Sequence, residues 1–246
     1  MFNVLIKIGY DGTAYSGFQI QENAPTIQGE IEKALAVIYK ETLRLNGAGR
    51  TDAGVHAREM VANYQAPFDI DLNKIPHALN CLLPDSIVVH GASAVAPGFH
   101  ARFDAKGKIY SYTLDQSEYP QIQKRLYSWH LPGFLDLEAM NRVAKSFQGT
   151  HDFSLFQASG STVTDTVRTI YQLKLICLPA EKLLRIIFEG NGFLYRMVRL
   201  ITGSLVRVGK GDLTEKQVEA ALQLKDRTAV GPTAPAHGLC LEKVLY

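Results

Sequence analysis

This 246-residue sequence has few of the features that tie a protein to a membrane, a disulfide framework or a metal. No apolar run approaches the ~18 residues that a membrane span needs, and the first residues lack the blocks of a signal peptide. The three cysteines, Cys81, Cys177 and Cys240, lie far apart in apolar surroundings without a C-x-x-C pair, so we expect reduced thiols in the core. The seven histidines show no metal-binding spacing. These absences predict a cytoplasmic protein with no disulfide, no metal and no membrane contact.

The sequence also lacks a phosphate-binding loop. Gly47 and Gly49 begin a G-x-G pattern, but Asp52 stands where a dinucleotide fingerprint has its third glycine, and its negative charge repels a phosphate. No G-x-x-x-x-G-K-[ST] loop occurs elsewhere in the chain. No nucleotide cofactor is therefore expected. Taken alone, the stretch GAGRTDAGVHA, residues 47–57, is equally well explained as a glycine-rich turn between two strands.

Charge is nearly balanced, with a formal net charge of +2, and 46% of the residues are hydrophobic, as in ordinary globular proteins. The positions of the charged residues say more about binding partners than the net charge does. Basic residues such as Arg50, Arg102, Lys106 and Arg199 gather near glycine-rich or aromatic stretches, whereas many acids lie on predicted helices. This pattern is typical of a nucleic-acid-binding surface, and solvated protein faces produce the same pattern.

Strand and helix patterns alternate along the chain. In the second half, Asp136 is the expected N-cap of a helix, and Thr214 with Gln217 forms a capping box for another. The two-residue period of a strand places Tyr171 and Leu173 on one face of TVRTIYQLKLICL. The sequence predicts an α+β fold of two related halves whose strands join into one mostly antiparallel sheet, with a cleft between the halves. The expected boundaries give an N-terminal half, a Pro- and polar-rich crossover and a C-terminal half: 1–115, 116–134 and 135–246.

Five stretches, in this order over the whole length, resemble the tRNA pseudouridine synthase A family. They are GYDGTAYSGFQ near the start, GAGRTDAGVHA, FHARFDAKGKIYSY, GNGFLYRMVRLITG and the closing APAHGLCLEKV. One glycine-rich match would mean little, whereas five in the same order are specific. Phe18 is a departure, because the family often has tryptophan there, but one aromatic core residue replacing another puts little in doubt.

The resemblance implies an isomerase that detaches uracil from its ribose, turns it and rejoins it through carbon, giving pseudouridine at positions 38, 39 and 40 of the tRNA anticodon stem-loop. It implies the pseudouridine synthase fold, in which two ferredoxin-like halves share a sheet around a central RNA-binding cleft. It also implies a homodimer and no cofactor. The residues agree with this chemistry: glycoside hydrolysis takes two carboxylates, but a base that is re-added needs no activated water, so one acid suffices.

The resemblance also implies roles for individual residues. The family's catalytic aspartate maps onto Asp52, and its partner arginine, which would favour the ionised carboxylate, maps onto Arg199. Asp52 attacks C1′ or C6, or takes a proton from C2′, and the sequence leaves these routes open. Tyr110 maps onto the uracil-stacking tyrosine, and Arg50 is expected to enter the RNA helix where the flipped base was. Further tRNA contacts are expected in two loops, at Phe99, His100, Ala101, Arg102, Phe103, Ser159, Gly160 and Ser161.

Plainer readings exist for these residues. A core tyrosine gives the same strand pattern as Tyr110, and Arg199 alone resembles a surface arginine on a helix. The helix around Arg199 is apolar almost all round, which makes an unpaired charge costly there. The alternative function is a non-catalytic RNA-binding protein on the same fold. Asp52 argues against it, because a pure RNA binder has no use for an anion in a basic cleft.

Overall fold

A computed structural model gives the fold of residues 2–224 and 230–246. The chain forms two compact units, Met1–Lys106 with Cys240–Tyr246, and Gly107–Leu239. Both units combine helices with a mostly antiparallel sheet, which confirms the predicted α+β class. The cleft between the halves stays a prediction. Within the described ranges, no helix is both long enough and apolar enough to cross a membrane.

The first unit contains β1 (Phe2–Tyr10), α1 (Ile27–Tyr39), β2 (Asn46–Gly47), β3 (His56–Ala66), α2 (Ile75–Asn80), β4 (Ile87–Ala94) and β10 (Leu239–Leu245). Its sheet has the order β4–β1–β3–β10, and β2 pairs with β3. Neighbours are antiparallel except β3 and β10, which run parallel with Cys240 opposite His56. The last strand of the chain therefore completes the sheet of the first unit.

Helix α1 supplies part of the core of the first unit. It begins at Thr26, whose hydroxyl oxygen accepts the backbone N–H of Gly29 at 3.2 Å. Ile27, Ile31 and Leu35 follow at helical spacing and are fully buried. Burying one such side chain contributes roughly 1.5–3 kcal/mol, so this face holds the helix to the unit.

The second unit contains β5 (Gly107–Asp115), β6 (Trp129–His130), α3 (Leu137–Ser146), β7 (Gly149–Asp152), β8 (Val167–Leu178), β9 (Leu183–Gly190), α4 (Met197–Gly209) and α5 (Glu215–Leu224). Its sheet has the antiparallel order β5–β9–β8–β7, and β6 runs parallel to β5. Helix α3 packs against α4, α5 and β8. Both predicted caps are confirmed, since Asp136 accepts the N–H of Ala139 at 2.9 Å and Thr214 exchanges hydrogen bonds with Gln217.

The two units differ from the predicted halves in two segments, strand β5 and the C-terminal residues. Strand β5, which we placed in the N-terminal half, pairs along its length with β9 and so lies in the second unit. Residues Cys240–Tyr246, which the sequence pattern places in the C-terminal half, lie in the first unit, where β10 pairs with β3. Both differences involve pairing between strands that are distant in sequence, which no local pattern encodes.

Strand β8 also departs from the predicted alternation. Ile170 pairs with Gly190 and Gln172 with Glu189, so Tyr171 is an extra residue in a β-bulge. The bulge reverses the alternation, so Tyr171 is 54% exposed while Leu173 is buried. The prediction that these two side chains share a face is wrong for this reason.

The predicted core position of the cysteines is wrong as well. All three are free thiols, but Cys81 and Cys177 are exposed and Cys240 is half-buried. Cys81 follows the last residue of α2, and Cys177 lies on an outward-facing position of β8. Apolar neighbours in the sequence therefore do not show whether a cysteine side chain faces the core or the solvent.

Asp115 anchors the end of β5 to the segment that follows it. Its carboxylate is buried and accepts hydrogen bonds from the hydroxyl and N–H of Ser117, and from the N–H and side-chain amide of Gln121. Burial alone would raise the pKa of Asp115, but these hydrogen bonds outweigh it and lower the pKa to about 2. The ionised carboxylate therefore fixes the start of the crossover.

We expect Asp115→Asn to destabilise the protein by about 2 kcal/mol at pH 7. The folded-state pKa lies below the unfolded value, so the stabilisation is present above about pH 4 and is lost as the pH falls towards 2. Urea unfolding of both proteins between pH 7 and pH 3 measures the difference. A difference in unfolding free energy that stays constant over this range would contradict the prediction.

Candidate active site

Asp52 lies on a turn that leads into β3. The side chain of Asp52 is half-buried, that of Thr51 is buried and that of Arg50 is exposed. The N–H of Val55 donates to the Asp52 carbonyl oxygen at 3.1 Å, which closes the turn. The carboxylate is thus presented from a short, closed turn at the end of a strand, the position at which folds commonly present reactive side chains.

Residues 10–18, here called the buttress segment, hold this turn from the other side. The hydroxyls of Tyr10 and Thr51 hydrogen-bond at 2.8 Å in the interior. The N–H of Phe18 donates to the Thr51 carbonyl at 3.1 Å, and the N–H of Gly54 donates to the Tyr15 carbonyl at 3.3 Å. The residues on both sides of Asp52 are therefore fixed to the buttress segment.

Two glycines allow the buttress segment to approach so closely. A Cβ on Gly12 would lie 2.0 Å from the Val55 carbonyl oxygen. Gly17 has φ +101, and a Cβ there would lie 2.6 Å from the Thr51 carbonyl oxygen. Any larger residue at either position must push the backbone of the turn away.

Sequence reasoning missed these supporting residues. The stretch GYDGTAYSGFQ carried the family resemblance, but we assigned no role to Tyr10, Gly12 or Gly17. The available signal was the density of glycine and tyrosine beside a predicted turn, which indicates a close backbone approach without naming its partner.

We expect Tyr10→Phe to lower kcat of the reaction expected of Asp52 by about tenfold without changing substrate affinity, because it removes the hydroxyl that fixes Thr51 next to Asp52. Tyr15→Phe is the matched control, since it removes a tyrosine hydroxyl of the same segment that bonds Ser86 at 2.8 Å. Steady-state kinetics and titration with substrate measure both variants. Equal losses of kcat in the two variants would show that the Tyr10 hydroxyl has no special link to the turn.

Tyr110 lies on β5 in the second unit and is mostly buried. The ring of Phe193 meets it edge-on, with 5.4 Å between centroids and an interplanar angle of 89°. Such an edge contact fixes the plane of the Tyr110 ring. A fixed ring plane suits the predicted stacking on uracil, and Phe193 is a second supporting residue that sequence reasoning missed.

Arg199 lies on α4 and is held by the segment that precedes β10. Its Nε donates to the Ala234 carbonyl at 2.7 Å, and the Ala234 N–H donates back to the Arg199 carbonyl at 3.1 Å. The backbone of this segment approaches α4 so closely that a Cβ on Gly203 would lie 1.8 Å from the Pro232 carbonyl oxygen. Arg199 is therefore half-buried and positioned, unlike a surface arginine.

Tyr112 connects this segment with β5. Its hydroxyl donates to the Pro235 carbonyl at 2.8 Å. Burial raises the pKa of Tyr112, and the positive charge of Arg199 opposes that rise. Arg199 therefore interacts electrostatically with Tyr112, which lies on the same strand as Tyr110. The closing motif APAHG supplies the carbonyl groups of Ala234 and Pro235 to these contacts.

The two loops expected to touch tRNA differ in what they expose. In the first unit, Ala101 is fully buried, its N–H donates to Asn63 and its carbonyl accepts the Tyr246 hydroxyl. Ala101 therefore lies beneath the loop, and the expected contact through its side chain has no exposed surface to use. In the second unit, residues 158–162 form a largely exposed turn in which Ser161 accepts the side-chain amide of Gln157 at 2.7 Å.

The predicted site residues fall into two groups. Asp52, Arg50 and the loop 99–103 belong to the first unit, whereas Tyr110, Arg199 and residues 159–161 belong to the second. Within each group the residues are held by the contacts given above, and the meeting of both groups in one cleft stays a prediction. In the described ranges, no group of three or more histidine, cysteine or acidic side chains is placed to hold a metal ion.

Comparison with known proteins identifies the family. The family model described as tRNA pseudouridine synthase matches residues 7–104 and 143–246. A curated tRNA pseudouridine synthase A of Thermoanaerobacter sp. (strain X514) is 46% identical over 246 residues, which is 100% of both chains. That of Bacillus subtilis (strain 168) is 44% identical over 241 residues, 97% of each chain.

Among solved structures, a chain in the crystal structure of a Cbf5-Nop10-Gar1 complex aligns with 99% of this chain and 49% of its own length. The sequence identity is 13% and the TM-score is 0.43. The family assignment rests instead on the match of the family model along most of the sequence and on relatives that are similar from end to end. This chain therefore belongs to the tRNA pseudouridine synthase family.

Proposed function

We propose that this protein converts uridine to pseudouridine at positions 38, 39 and 40 of the tRNA anticodon stem-loop. The N1–C1′ bond breaks, uracil turns in place, and a C5–C1′ bond forms. The proton on C5 leaves and N1 gains a proton, so substrate and product are isomers. Because no oxidant, reductant or group donor enters this balance, we propose no cofactor.

Asp52 is the proposed catalytic residue. One observation carries this proposal: in a chain of this family, a half-buried carboxylate lies on a turn that the buttress segment fixes on both sides. Attack on C1′, attack on C6 and removal of the C2′ proton all need the ionised form at a fixed position. The alternative, a non-catalytic RNA-binding protein, is not favoured, because the relatives carry the enzyme's name.

The other proposed roles follow from where each side chain lies. Tyr110, with its ring plane fixed by Phe193, stacks on the extracted uracil. Arg199 supplies positive charge to the ionised carboxylate of Asp52. Arg50, exposed beside Asp52, fills the space that the flipped nucleotide leaves in the stem.

Release of tritium tests the proposed function. Purified protein is incubated with tRNA whose uridines carry tritium at C5, and the label that enters water is counted. Single-uridine substrates, with uridine at 38, 39 or 40 alone, locate the target. No release from any of them would refute the function, and release from uridines outside this stretch would refute the assigned positions.

We expect Arg50→Ala to impair modification of a stem uridine more than that of a loop uridine, because only the stem uridine must be unpaired. Arg44→Ala is the control, since it removes another exposed arginine of the same unit. Rates of tritium release on the two substrates give the comparison. Equal losses on stem and loop uridines would remove the role of Arg50 in flipping.

We further propose that the enzyme works as a homodimer in the cytoplasm, where tRNA serves translation. The family resemblance motivates both statements. Light scattering of the purified protein at several concentrations measures the oligomeric mass, and a monomer at concentrations that support full activity would contradict the dimer.

A further inference from the structure

The loop between β4 and β5 presents an exposed aromatic ring. We call residues 99–104 the aromatic loop. Phe103 on this loop is 74% exposed. The imidazole of His100 lies against its ring, with 4.3 Å between centroids and an interplanar angle of 39°. The guanidinium of Arg102 lies 5.7 Å from the centroid of the same ring.

The backbone beneath this ring is firmly held. Asn3 and Asn63 are buried, and their side chains hydrogen-bond each other at 2.8 Å. Asn3 donates to the Phe99 carbonyl at 2.8 Å, and Asn63 accepts the N–H of Ala101 at 2.9 Å. Buried amide pairs with satisfied hydrogen bonds are rigid elements, so this pair holds the backbone of the aromatic loop in place.

The turn that carries Phe103 is closed as well. The His100 carbonyl accepts the N–H groups of Phe103 and Asp104, both at 3.1 Å. The Asp104 carboxylate accepts the His100 N–H at 2.8 Å, and His100 Nδ1 accepts the Arg102 N–H at 3.1 Å. The ring is therefore presented to solvent by a rigid turn.

We infer that Phe103 is a stacking platform for an unpaired nucleotide of the RNA substrate, with Arg102 neutralising the phosphate of that nucleotide. This inference rests on the proposed function and gives the tRNA contact expected of this loop a specific mode, the stacking of a base on Phe103. Exposed aromatic rings flanked by cations are how proteins hold single-stranded nucleic acid, because every base has a face that stacks and every nucleotide carries a phosphate.

The surroundings of the ring favour RNA over other occupants. Exposure alone does not identify a base-stacking ring, because Phe134 in the second unit is 86% exposed and, among the described residues, lacks such surroundings. Phe103 differs in having an imidazole and a guanidinium at its ring, and Lys106 is exposed three residues further on. A rigid platform also binds without a large ordering cost.

Three variants test the platform. We expect Phe103→Ala to raise both the Kd for tRNA and KM by about tenfold while kcat is unchanged. Phe103→Trp keeps a stacking surface and should keep the parent's affinity. Phe134→Ala, which removes a still more exposed phenyl ring, is the matched control and should bind like the parent. A Kd for Phe103→Ala equal to that of the parent would overturn the inference.

Salt dependence separates the ring from the charge beside it. Stacking releases no counterions, so Phe103→Ala should leave the slope of log Kd against log salt unchanged. Arg102→Ala should reduce the magnitude of that slope by about one. An unchanged slope for Arg102→Ala would remove the phosphate contact from the inference.

Fluorescence tests the stacking directly. The chain has one tryptophan, so Phe103→Trp adds a second emitter whose signal is read against the parent. Single-stranded oligouridylate should quench the added emission, and duplex RNA should not. Absence of quenching by oligouridylate would overturn the inference, and so would a change of oligomeric mass in Phe103→Ala, since the ring would then cover a second copy of the chain.

Failure of this inference is distinguishable from failure of the proposed function. If the parent releases no tritium from tRNA, the function is wrong. If the parent is active and Phe103→Ala retains its tRNA affinity, the function stands and only the platform is wrong.

Discussion

Asp52→Asn should abolish pseudouridine formation while the protein still folds and binds tRNA. Asparagine has nearly the same shape as aspartate, and the hydrogen bond that closes the turn uses the backbone carbonyl of residue 52, which the change leaves in place. The change replaces the carboxylate that is the proposed reacting group. The rate of pseudouridine formation should therefore fall by about 10⁴-fold, at the upper end of what a positioned acid–base group contributes. Tritium release, tRNA affinity and Tm are measured together.

Asp85→Asn is the control for the change in charge. Asp85 is exposed in the same unit, and its replacement removes one negative charge away from the turn. It should retain activity. Binding by Asp52→Asn should equal or exceed that of the parent, because an anion no longer opposes phosphate. Substantial tritium release by Asp52→Asn would reject the mechanism, and unfolding of this variant would support the reading in which Asp52 only ties down a glycine-rich turn.

The second large effect is expected from Gly12→Ala, a change in the buttress segment rather than at the carboxylate. The added Cβ would lie 2.0 Å from the carbonyl oxygen and 2.7 Å from the carbonyl carbon of Val55. Val55 also donates the hydrogen bond that closes the Asp52 turn, so the turn must shift. We expect a loss of about 1–3 kcal/mol in the free energy of unfolding and of about 10²-fold in kcat.

Gly91→Ala gives the comparison for Gly12→Ala. Gly91 lies on β4 of the same unit, and a Cβ there would meet no atom within 4 Å. Urea unfolding and single-turnover kinetics should show the Gly91 variant close to the parent. If Gly12→Ala lost stability but kept kcat, the buttress segment would support the fold without positioning Asp52.

Local sequence patterns predicted the parts of the fold that local physics determines. Asp136 caps α3 and Thr214 caps α5, because short polar side chains satisfy helix N–H groups within three residues. The bulge at Tyr171 and the exposure of Cys177 depend on strand partners far along the chain. The same is true of the pairing of β5 with β9 and of β10 with β3.

The candidate site shows the same division. The family resemblance of the motifs pointed to Asp52, Tyr110 and Arg199, whose roles stay predictions. The motifs did not point to Tyr10 as the partner of Thr51, or to Phe193 as the partner of Tyr110. A strand or turn pattern does not show which side chain from a distant part of the sequence contacts a site residue.

Strand β10 sets the order in which the protein can be completed during synthesis. The first unit begins at the N-terminus, yet its sheet needs Cys240 and Leu241 opposite His56 and Ala57, and the aromatic loop needs the Tyr246 hydroxyl. A ribosome makes these residues after the whole of the second unit. The unit that contains the first strand is therefore completed second, and a nascent chain exposes the edge of β3 at His56 and Ala57 until β10 has been made.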